Sequence, residues 1–70
     1  MGVPDETILW MVVRSDDNGT TSIIKDNLPQ IEAMEMVLAY TAKGHKQLYQ
    51  AFSYTPATKQ ALVARERINV

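Results

Sequence analysis

Seventy residues make one domain, taken as 1–70, close to the smallest size that holds an independent core. No cysteine and one histidine exclude disulfides and thiolate metal sites and leave too few ligands for a structural zinc. Net charge is −1 but divided: residues 1–35 carry seven acids and two bases, residues 36–70 five bases and one acid. That split suits two halves lying side by side, or an acidic or basic face turned to a partner.

After a polar lead containing Pro4, "ILWMVV" (Ile8 to Val13) is continuously apolar and β-prone. "RSDDNG" then breaks the run, and "TTSIIK" (Thr20 to Lys25) resumes it with β-branched residues. Two such runs around Asn-Gly predict a hairpin, 7–14 with 20–25. A two-residue type I′ loop would put Asn18 and Gly19 at positive φ and set Arg14 opposite Ile23 and Val13 opposite Ile24. Leu9, Met11, Val13 and Ile24 would then share one face, and Ile8, Trp10, Val12 and Ile23 the other. A one-residue slip would exchange those faces.

"DNLPQIEAMEMVLAYTAKG" predicts a helix over 28–43. Asn27 or Asp26 is the expected cap, Pro29 suits the first turn, and Gln30 stands at a loose capping-box spacing from Asn27. Gly44 suits the position past the end, with Lys43 and Lys46 beside the negative pole of the dipole. At about 100° per residue, Ile31, Met34, Val37, Leu38 and Thr41 form the expected core face. Glu32, Glu35, Ala39 and Lys43 lie opposite, Met36 falls on the polar side, and Ala33 and Tyr40 flank it.

"HKQLYQAFSYT" alternates, with Leu48, Phe52 and Tyr54 on one face and Tyr49 and Ala51 on the other. Leu48 and Phe52 also match helical spacing, but Gly44 and three aromatics favour a third strand, 46–54. In "TPATKQALVARERINV", Thr55 and Pro56 form a helix start, and Ala57, Ala61, Ala64 and Ile68 share a helical face. Leu62, Ala64, Ile68 and Val70 alternate as a strand would, so both readings stand for 56–70 and the helix is taken. The expected fold class is α+β: a small antiparallel sheet with one helix packed on it and a C-terminal helix.

Chemistry is sparse. With Gly19 at position 6 of a calcium loop, Asp16 and Asn18 fall at ligand positions 3 and 5, but Arg14 and Lys25 occupy positions 1 and 12. Two cations where carboxylates are needed argue against calcium, so no metal or cofactor is expected. Nucleophilic catalysis needs a nucleophile beside an oriented base. His45 is the one conventional base, between lysines and with no carboxylate near in sequence. Glu32 and Glu35 sit on the solvent side of the expected helix. The chain is therefore expected not to be an enzyme. Lys43, Lys46, Lys59, Arg65 and Arg67 with Tyr49 and Tyr54 could make a basic, aromatic surface for nucleic acid. Net acidity and the lack of a helix-turn-helix, RNP or zinc-finger signature rank that as the alternative. No apolar run reaches the roughly 18–20 residues that cross a bilayer, and "MGVPDE" lacks the parts of a signal peptide or a myristoylation site. A cytoplasmic location without membrane contact is expected.

A first strand apolar on both sides needs cover on both sides. The helix covers one, and the tail can cover the other in part. The functional expectation is that Trp10, Val12 and Ile23, with Met36 and Tyr40, meet another chain, since aromatics and methionine are enriched in interface cores. A strand edge could also pair across a two-fold axis. A core of this size supplies only about 3–5 kcal/mol, which adds to the expectation of a homodimer or a protein partner. Asp16 and Asp17 at the hairpin tip are a further candidate contact.

The order of hairpin with acidic turn, amphipathic helix and third strand, from Ile8 to Tyr54, resembles very small phage proteins that inhibit host enzymes such as RNA polymerase or uracil-DNA glycosylase. The resemblance is one of layout and transfers no site residue by residue. It implies inhibition by occupying a surface of a larger enzyme, with Asp16 and Asp17 standing in for phosphates.

Overall fold

A computed structural model describes residues 6–44 and 47–69, which leaves His45 and Lys46 outside the described residues. The elements are β1 (Leu9–Ser15), β2 (Thr21–Leu28), α1 (Gln30–Ala42), β3 (Leu48–Tyr54), α2 (Lys59–Arg65) and β4 (Ile68–Asn69). The fold is α+β: a curled four-stranded sheet of order β3-β1-β2-β4, with α1 packed on it and a small C-terminal helix. β1 pairs antiparallel with β2 and β3. The sheet is mixed rather than wholly antiparallel because β4 joins β2 in parallel. Residues 56–70 thus hold both expected forms, a helix and then a two-residue strand.

The hairpin forms, but its loop is longer than two residues and the register differs by one. The Asp16 carbonyl accepts from the Gly19 N–H at 3.0 Å, and the Asp16 N–H donates to the Thr20 carbonyl at 2.8 Å. This is a type I turn over Asp16–Gly19 with a glycine bulge, Gly19 at φ 87° supplying the left-handed residue. Asn18 is not at positive φ; its Oδ1 accepts from the Thr20 N–H at 3.0 Å. Aspartate at the first position and glycine at the fourth are the type I preference. Consequently Val13 faces Ile23, and Arg14 faces Ser22.

β2 carries two irregularities against β1: Trp10 pairs with Leu28, Val12 with Lys25, and Val13 with Ile23. Each adds a residue to β2, and such bulges bend a strand and increase its twist. At the first, Asn27 adopts φ 55°. Its side chain does not cap α1, and neither does that of Asp26. The Tyr54 hydroxyl donates to Asn27 Oδ1 and accepts from the Asn27 N–H, both at 2.9 Å. Lys59 Nζ donates to Asp26 Oδ2 at 2.7 Å. Helix α1 begins behind Pro29 with no side-chain cap, and its end is closed by the Gly44 N–H donating to the Thr41 carbonyl at 3.1 Å.

Two clusters, one on each face, explain why β1 is apolar from Leu9 to Val13. Val12, Leu28 and Ala33 are buried with Trp10, Ile24, Met36, Val37 and Ala51 against them, beneath α1. Met11, Val13, Tyr54, Leu62 and Ile68 are buried with Leu9, Ile23, Phe52 and Val63 against them, beneath α2 and β4. The tail therefore completes the second core. Thr55 and Thr58 set its start: each backbone N–H donates to the other's hydroxyl, at 2.9 and 3.2 Å, an arrangement like a capping box.

Candidate interaction surface

The residues expected to meet a partner do not share a face. Val12 is fully buried and, with half-buried Trp10 and Met36, belongs to the α1-side cluster. Ile23 packs on the opposite side of the sheet, because the added turn residue and the bulges exchanged the places of Ile23 and Ile24. Tyr40 stacks on Tyr49 of β3, ring centres 4.8 Å apart and planes within 11°, with Lys43 Nζ 5.4 Å from its ring centre. Asp16 is held by Arg14, Nε to Oδ1 3.2 Å, while Asp17 is exposed at the hairpin tip. A shallow hollow lined by Arg14, Asp16, Asp17, Asn18 and Gln47 lies there.

The apolar surface lies elsewhere. Helix α1 turns Ala33, Met36, Val37 and Tyr40 to the sheet, so that of the expected core face Val37 is packed while Ile31, Met34, Leu38 and Thr41 are not. Ile31 and Leu38 are 72% and 70% exposed, and Met34 is 39% exposed. The physical reason is size. Ala33 lets the helix backbone come close to Val12 and Leu28, which larger side chains at the contact would prevent. The helix is apolar on most of its circumference, so periodicity did not select the buried side. The signal that could have found it is Ala33 spaced three, four and seven residues from Met36, Val37 and Tyr40.

The place of the stripe relative to the sheet follows from the opposite flank. Glu32, Glu35, Met36 and Ala39 line a hollow with Lys25 and Leu28, so that flank of α1 faces β2. At about 100° per residue, Met34 and Thr41 therefore lie on the flank of α1 away from β2, while Ile31 and Leu38 point away from the sheet altogether. Leu48, 57% exposed, sits at the start of β3, a sheet edge.

Two cations of the second half, Lys59 and Arg65, have carboxylate partners. Lys59 is bonded to Asp26, a contact that raises its pKa through the hydrogen bond and the carboxylate's charge against a smaller burial effect. Its Nζ also lies 5.8 Å from the Tyr54 ring centre. Arg65 Nε contacts Glu66 at 3.0 Å. The Asp26–Lys59 pair joins the acidic half of the chain to the basic half. Among the described residues no group of three acidic or histidine side chains is placed to hold a metal, and no helix is long and apolar enough to cross a membrane. No protein-family model matches the chain, and no curated protein or solved structure matches it either.

Proposed function

We propose that this chain is a non-enzymatic binding protein of the cytoplasm, a homodimeric adaptor or inhibitor that works by covering protein surface. The observation that carries the reading is the exposed stripe Ile31, Met34 and Leu38 on a helix already anchored by its other side. Isolated exposed apolar residues are ordinary, but a row on one element next to an open sheet edge is typical of docking surfaces. An inhibitor of the phage type would use the same surface, with Asp17 free at the hairpin tip as an acidic contact. Nucleic-acid binding loses support because Lys59 and Arg65 each have a carboxylate partner.

The test uses the tagged full-length chain as bait, wild type beside Ile31→Lys/Leu38→Lys. Circular dichroism should be unchanged, since neither side chain is in a core. Self-association and capture of other proteins should both fall sharply. Retention of every interaction by the double variant would remove the reading.

A further inference from the structure

The two edges of the sheet are built differently. On the β2 side the edge carries Lys25 and Asp26, is broken by two bulges, and is flanked at Thr21 and Ser22 by β4. Those are the usual devices that keep an edge from pairing. β3 has none of them. Its sequence LYQAFSY contains no charge and no proline, and all seven residues pair in unbroken register with Leu9–Ser15 of β1. Its outer side therefore presents a straight, uncharged row of backbone groups. Leu48, at the start of β3, is exposed on the sheet face opposite α1.

We propose that β3 pairs antiparallel with β3 of a second copy about a two-fold axis near Ala51, giving a continuous eight-stranded sheet. This deepens the binding reading above, and rests on it, by naming the occupant of the open sheet edge. Three features favour a second copy over an unrelated strand. An antiparallel pair of identical strands is closed by the two-fold, so both edges are satisfied at once. The strand Leu48–Tyr54 carries no charged side chain, so the edge meets itself without repulsion. Centring on Ala51 brings Leu48 of each copy opposite Tyr54 of the other.

The experiment is sedimentation equilibrium of the full chain from about 5 to about 300 µM, with amide hydrogen exchange at both ends of that range. A monomer–dimer equilibrium is expected, with the outward-facing β3 amides slowing as dimer forms while the loop amides do not change. Gln50→Lys, at an exposed position of β3, places two like charges near the axis and should weaken the dimer by about tenfold or more without altering the monomer's circular dichroism. Leu48→Lys, at an exposed position of the same strand, should weaken it as well. A chain monomeric throughout overturns the proposal, as does a dimer whose β3 amides exchange as in the monomer and which tolerates Gln50→Lys. A monomer that still loses a captured protein on Leu38→Lys overturns the second copy while keeping the binding reading.

Discussion

Tyr54→Phe tests the clamp that holds the curled end of the sheet. The Tyr54 side chain is 5% exposed, and its hydroxyl makes two hydrogen bonds, both at 2.9 Å, to the Asn27 side chain and backbone. Removing the oxygen deletes both bonds, each contributing about 1 kcal/mol net. Asn27 is exposed, so water can reach part of what is lost, and the expected cost is about 1.5–2 kcal/mol. On a domain this small, that lowers the melting temperature by roughly 6–16 °C, and it is a large part of the about 3–5 kcal/mol available. Urea unfolding followed by Trp10 fluorescence measures it, with an unchanged slope expected because the exposed area is the same. Asn27→Gly keeps the positive φ and the backbone N–H while removing the side-chain acceptor, so a double-mutant cycle with Tyr54→Phe should give a coupling of about 0.5–1 kcal/mol. A Tyr54→Phe variant within about 0.5 kcal/mol of wild type would show that the bulge is held by something other than this clamp.

Arg67, at φ 55° just past α2, occupies a position glycine fills without strain; Arg67→Gly should raise the urea midpoint by the equivalent of about 0.5–1 kcal/mol. Helix orientation is tested by a pair of variants: Ile31→Gln should leave stability within about 0.5 kcal/mol at concentrations where the chain is monomeric, whereas Ala33→Leu should cost about 1–3 kcal/mol by overfilling the contact with Val12 and Leu28. Lys59→Met should cost under about 1 kcal/mol, since both members of the Asp26 pair are about one-third exposed and screened by solvent. The folded-state pKa of Lys59 is raised, so the pair's contribution is fully present below the ordinary lysine value of 10.5 and lost as pH rises through the higher folded value. The difference between wild type and Lys59→Met, read from urea midpoints, should therefore shrink above about pH 11 and stay constant between about pH 6 and 9.

Local chemistry determined the kinds of element and their order. β-Branched and aromatic runs became strands, Pro29 and Gly44 bracketed a helix, and Asp16–Gly19 made a turn. Even the doubly apolar β1 stated its environment correctly, since both of its faces are covered. Tertiary structure decided what local signals leave degenerate. Asp-Asp-Asn-Gly supports either a two-residue or a three-residue loop, and one residue of difference moves Ile23 to the far side of the sheet. Asn27 could have capped α1, but Tyr54, 27 residues further along the chain, offers two bonds where a cap offers one. α1 carries apolar residues on two sides, and only the close approach allowed by Ala33 selected which side is buried. The candidate surface is the remainder of that choice: the helical spacing of Ile31, Met34 and Leu38 predicts a core face, and they are exposed because a smaller residue fits the sheet better. Spacing along a chain names a face; which face meets the core depends on the shape of what it packs against.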